Sequence, residues 1–195
     1  AGATTATITV TPVDDAIDLS SAIGFSIAGG SVALALVRPA TTSLADKTSF
    51  LGAEIALSNA SLVGIDGLTL RVSGTVLVNK ATTAAGLDST ERINWFVATN
   101  SSNDPDNLIP AFSADLTNTV ALKIKGSAAL DLFGFIVGSA DMEFESRTVD
   151  VDQNGNGVFS TLDKDLDDAT LLAIGLTNLN LFVGVGASLS PSGAV

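Results

Sequence analysis

Apolar residues recur at every second position through most of this chain. Val32, Leu34 and Leu36 alternate with Ala33 and Ala35; Leu68, Leu70 and Val72 alternate with Thr69 and Arg71. The same period runs through Ile23, Phe25 and Ile27, Val76 and Val78, and Val120, Leu122 and Ile124. It continues through Phe133, Phe135 and Val137, through Met142 and Phe144, and through Leu179, Leu181, Val183 and Val185. Successive side chains take opposite faces in an extended strand, so a period of two dictates β-structure. Gly, Asn and Asp punctuate the runs, giving roughly ten to thirteen strands. A helical period is nearly absent; only residues 42–56 and 163–172 suggest a short helical stretch. Residues 78–83 read as a strand end running into a plain loop. The fold class is all-β.

Small residues fill the other half of many strands, as at Ser31, Ala33 and Ala35, at Ser127 and Ala129, and at Gly138 and Ala140. Such strands stack closely, a pattern of solenoids and layered sheets. A Gly-Leu-Thr cadence feeding an alternating strand occurs at Gly67 and again at Gly175, which points to stacked, similar units. The expected architecture is an elongated β-solenoid-like stack, with a two-sheet β-sandwich as the alternative. Residues 1–12 read as an N-terminal strand extension, and 13–195 as a single β-rich domain.

Composition removes several function classes. The 195 residues carry 21 acids against 9 bases, a net charge of −12. Such a chain repels nucleic acid and anionic lipid. Cysteine and histidine are both absent, which removes disulfides, thiol nucleophiles, histidine triads and the usual zinc and copper sites. Apolar runs are broken by Gly, Ser, Asn and Thr, so no transmembrane helix is expected. The first residues lack the basic region of a signal peptide. The chain therefore reads as a mature N-terminus or as a cut from a longer chain.

The acids are concentrated. Asp141, Glu143, Glu145, Asp150, Asp152, Asp163, Asp165, Asp167 and Asp168 crowd one stretch, and crowded carboxylates repel unless a cation sits among them. Within the 150–168 connection, Asp152, Asn154 and Asn156 stand at loop positions 1, 3 and 5, and Gly157 at position 6. Val158 follows with its carbonyl at 7, Ser160 with a hydroxyl at 9 and Asp163 with a carboxylate at 12. An oxygen at every second residue, a glycine for the sharp turn and a closing carboxylate are what a loop needs to wrap Ca²⁺. Asp152, Asn154, Asn156, Val158, Ser160 and Asp163 are the expected metal ligands. A second polar loop at 100–107, with Asn103, Asp104, Asp106 and Asn107, offers oxygens without such spacing.

Asp at position 12 resembles the calcium loops of dockerin modules, where EF-hands usually carry Glu. The texture from Gly67 to Ala81 and from Gly126 to Phe144 resembles the β-rich repeat segments of large bacterial surface proteins, the calcium-dependent adhesins and RTX-type exoproteins. The glycine-aspartate nonapeptide of RTX proteins is missing. The resemblance implies an extracellular or cell-surface, non-catalytic module stiffened by calcium.

Residues 1–10 carry no charge and are strand-forming, with Thr5, Thr7, Ile8, Thr9 and Val10 as the core of an assembly strand. Such a segment suits β-strand addition to a neighbouring subunit, with the strand near 182–189 as acceptor edge. The expected function is a structural module that joins copies of itself, or neighbouring repeats, into a filament or surface layer. One alternative is an adhesin repeat of a giant surface protein. Another is a glycan-active β-helix enzyme using carboxylate pairs among Asp141, Glu143 and Glu145, which share a strand face at i, i+2. No catalytic residue, nucleic-acid partner or membrane insertion is expected.

Overall fold

The computed structural model describes residues 18–40, 43, 45–99, 102–104 and 106–190, the side chain of Asp163 excepted. Within them the chain runs as β1 (Gly24–Ile27), β2 (Gly30–Val37), β3 (Ser49–Val63), β4 (Leu68–Thr82), β5 (Asp88–Ser89), helix α1 (Trp95–Ala98), β6 (Val120–Leu132), β7 (Ile136–Val151) and β8 (Leu166–Val183). Every strand belongs to one antiparallel, eight-stranded open sheet in the order β1-β3-β4-β6-β7-β8. β2 follows β1 along the same side of β3, and short β5 pairs with the end of β4. β1 and β2 act as one edge strand interrupted at residues 28–29, where Ala28 N–H donates to the Asn59 carbonyl and Ser58 N–H to the Gly29 carbonyl. β8 forms the other edge.

The all-β expectation holds, with fewer and longer strands than the sequence suggested. Punctuating glycines explain the miscount. Gly74 and Gly126 lie inside strands and opposite each other, not at turns. A Cβ on Gly126 would collide with the Ser73 carbonyl oxygen, and one on Gly74 with that of Lys125, so glycine lets two backbones approach. Residues 49–56 form the start of β3, and 166–172 the start of β8; a 3-10 turn, Thr161–Asp163, is the only helical piece of the second stretch. Residues 78–82 are strand. Phe133 and Phe135, read as strand, sit in the β6–β7 turn. Phe133 and Gly134 both have positive φ, 54° and 65°, the primed geometry that suits a tight hairpin. The two Gly-Leu-Thr copies are not equivalent, since Gly67 ends the β3–β4 turn and Gly175 lies within β8.

Register sorts the side chains into two unlike faces. One row crosses the sheet as Val32, Ile55, Val76, Ile124, Phe144 and Ile174; the next as Leu34, Ala53, Val78, Leu122, Ser146 and Leu172. Farther along, Leu70, Leu130, Gly138 and Leu181 continue the same apolar face. The opposite face holds Glu54, Leu77, Lys123 and Glu145 in one row and Thr75, Lys125, Glu143 and Gly175 in the next.

The best-buried cluster lies on this mixed face, not the apolar one. The long β5–β6 connection folds over it, burying Trp95, Phe112 and Leu116 against Ala35 and Leu77. Trp95 and Phe112 rings meet at 5.5 Å, tilted by 56°. Small Ala33 and Ala35 and Gly52 leave the space; a Cβ on Gly52 would stand 2.6 Å from the Trp95 indole.

Candidate functional site

Three regions carry polar chemistry: the 152–165 loop, the charged rows, and the anchor beneath the β5–β6 connection. In the loop, Asp152 accepts from the N–H groups of Gly155 and Gly157, both at 2.7 Å. Asn154 accepts from Asn156 N–H at 2.9 Å, and Asn156 from Val158 N–H at 2.7 Å. Asp and Asn favour such bonds to backbone two or more residues on. Gly155 and Gly157 take φ of 70° and 82°, the left-handed values the turns demand. Thus Asp152, Asn154 and Asn156 lie in one ordered loop with Val158. Ser160 caps the 3-10 turn, accepting from Leu162 N–H at 3.3 Å. The side chain of Asp163 lies outside the described residues.

Asp165, two residues past the expected closing carboxylate, organises the loop. It is 7% exposed. Its oxygens accept from Gln153 N–H at 3.0 Å and Ser160 N–H at 2.7 Å, drawing together the two ends of the loop. The spacing of calcium ligands gave no sign of this role. Among the described residues no three carboxylates converge as a metal ligand set. The loop carries one carboxylate, two carboxamides, a carbonyl and a hydroxyl, hard oxygen donors of the kind Ca²⁺ takes, and each of these side chains accepts from a backbone N–H of the loop.

The crowding of acids in sequence resolves into separate local partners. Asp141 accepts from the Ser127 hydroxyl and from Asn178 Nδ2 at 2.6 Å. Those two bonds, Ser127 first, hold its carboxyl below the usual carboxylate range. Glu143 and Asp115 flank Lys123 at 3.3 and 3.2 Å. Burial pushes the Lys123 ammonium down, but the bonds and charges of Asp115 and Glu143 outweigh it and hold the pKa above its ordinary value. Glu145 pairs with Arg147 at 3.4 Å, and Asp150 accepts from Asp168 N–H at 3.1 Å. Side chains and backbone therefore meet much of the charge for which the sequence suggested a cation.

Asp141 and Glu143 share one face and border a shallow notch with Lys125, Ser127 and Thr177, whose exposed lining is mostly apolar. A general acid needs a raised pKa; Asp141 is shifted the other way. At the 100–107 loop, Asp104 is buried and accepts from Ile109 N–H at 2.8 Å, while Asn103 donates to the Val97 carbonyl at 3.0 Å. Asp104 thus serves the fold, its backbone carbonyl also accepting from Asn107 N–H at 3.0 Å; residues 100, 101 and 105 lie outside the described residues.

The anchor under the β5–β6 connection was missed from sequence. Asn79, on β4 and 1% exposed, donates to the Ile93 and Thr117 carbonyls, each at 2.8 Å, and accepts from the Trp95 indole N–H at 3.0 Å. Its signal was a lone amide inside an alternating run. Thr5, Thr7, Ile8, Thr9 and Val10 lie outside the described residues. Of the strand expected at 182–189 only Phe182 and Val183 lie in β8; residues 184–189 are not strand, and the open edge of β8 lies before them. Comparison with protein-family models, with curated proteins and with solved structures gives no match.

Proposed function

We propose that this chain is a non-catalytic structural β-module of an extracellular or cell-surface assembly. It joins copies of itself, or neighbouring repeats, by adding residues 1–10 of one copy as a strand to an open sheet edge of the next, and calcium in the 152–163 loop stiffens it. The observation that supports this reading is the pair of open edges. β1 with β2, and β8 at the far side, each have a strand partner on one side alone among the described residues. β8 runs 18 residues and exposes nearly all of them. Proteins that stay apart blunt such edges with charge, proline or a covering loop. Here residues 169–183 carry no charge and no proline. Contacts that repeat from one edge to the next do not close and give fibres. An elongated stack of strands is then a property of many chains.

Calcium fits the donor set of the loop, and Asp152, Asn154, Asn156, Val158, Ser160 and Asp163 are the residues that would hold it. A cation also offsets the self-repulsion of a chain with net charge −12. Negative-stain images with calcium and with EDTA test the reading. Filaments or sheets that disperse on chelation support it; separate compact particles in both conditions overturn it.

A further inference from the structure

We propose that the apolar face of the sheet packs against the same face of a second copy of this chain, making a two-layer sandwich. This pairing uses a face and not an edge, so it stands independently of strand addition.

The face is continuous from edge to edge. Its side chains are most open to solvent at the two edges, where Val32 is 71% exposed and Ile174 70%, and are half-buried among their neighbours between them. Between them Ile55, Val76, Ile124 and Phe144 complete the row. Charge is confined to the margin, where Lys80 pairs with Asp88 at 3.1 Å. Among the described residues the extensive contacts between elements all join neighbouring strands, and every strand lies in this one sheet, so no second sheet lies over the face.

Area decides the occupant. Six strands side by side at about 4.8 Å, each about fifteen residues long at about 3.3 Å per residue, present about 1,400 Å². A stable interface needs about 800 Å² per partner. A single extended segment covers a strip only about 10 Å wide, the spacing of packed layers, and leaves most of the face wet. The cover must itself be a sheet of this width without charge, and a second copy has both properties. Aligned apolar faces pack about 10 Å apart in sandwiches. The mixed faces, which carry Glu54, Lys123, Lys125, Asp141, Glu143 and Glu145, then point outward on both sides.

The natural chain has no cysteine, so a single introduced thiol reports its own surroundings. Ile174→Cys and Asn180→Cys place it on opposite faces of β8, both exposed in the single chain. The full-length variants are labelled with a water-soluble maleimide, and the mass of the unlabelled full-length chain is measured by light scattering. The expected result is labelling at least about tenfold slower at 174 than at 180, with a mass of two copies or a multiple of it. Ile174→Glu should halve the mass of the smallest species and leave the β-sheet circular dichroism unchanged. Equal labelling rates at both positions overturn face pairing, while filaments in the same sample would leave edge addition standing. A one-copy mass overturns face pairing as well. Protection at 174 that arises only when phosphatidylcholine vesicles are added overturns it in favour of a lipid surface.

Discussion

The indole N–H of Trp95 donates to the Asn79 carboxamide oxygen at 3.0 Å, and both residues are shut off from solvent. Asn79 satisfies three groups at once, because its amino group also reaches the Ile93 and Thr117 carbonyls. Buried polar groups left without partners cost about 1–3 kcal/mol each. Asn79→Ala is therefore expected to destabilise by about 2–4 kcal/mol. Trp95 is the single tryptophan of the chain, so its emission should shift to the red as the connection loosens. Urea denaturation followed by that emission measures both effects.

Gly126 and Gly175 make a matched pair of sites. A methyl on Gly126 meets the Ser73 carbonyl, a backbone atom that cannot turn aside, whereas one on Gly175 meets nothing within 4 Å. Gly126→Ala should cost about 1–3 kcal/mol by forcing β4 and β6 apart. Gly175→Ala should stay within about 0.5 kcal/mol of the natural chain. Thermal or chemical unfolding of the two variants compares them.

Asp165 and Asp163 should separate loop structure from ion binding. Asp165→Ala removes the acceptor for Gln153 and Ser160 N–H, and is expected to cost about 1.5–3 kcal/mol with or without calcium. Asp163→Ala should change little in EDTA but abolish the rise in melting temperature that calcium gives the natural chain. A ligand that binds only the folded state must stabilise it. A chain whose melting temperature ignores calcium would remove the ion from the account.

Asp141 adds a small acid-dependent contribution to stability. Its folded pKa lies below the unfolded value of about 3.9. Its contribution to stability is thus present above that value and is lost as pH falls through the folded pKa. Asp141→Asn should lower the urea midpoint at neutral pH, and the difference from the natural chain should shrink in strong acid. The effect is small, because the carboxylate is in contact with solvent.

Much of this architecture was legible in the alternation. The residues that alternate at Val32 to Leu36, Val76 and Val78, Leu122 and Ile124, and Leu179 to Val183 lie on the one apolar face. Strand length was not legible, because Gly74 and Gly126 look like turns in sequence and act as points of close approach in space. The crowding of Asp141, Glu143 and Glu145 suggested a cation because the partners Ser127, Lys123 and Arg147 come mainly from across the sheet. The role of Asp165, seen in sequence only as one of the crowded acids, was not legible because it works on backbone N–H groups that a ligand pattern does not weigh. The connection over Trp95 gave no periodic signal; its structure follows from one buried amide and a few aromatic contacts.

Self-association through the open edges is the central claim, and the most direct test is sedimentation velocity on the full chain and on a form lacking residues 1–10, both in calcium. The account predicts large, polydisperse species for the full chain. The shortened form should sediment as small species of one or two copies, with its β-sheet circular dichroism intact. Large species that persist without residues 1–10, or a full chain that sediments only as such small species, would contradict it.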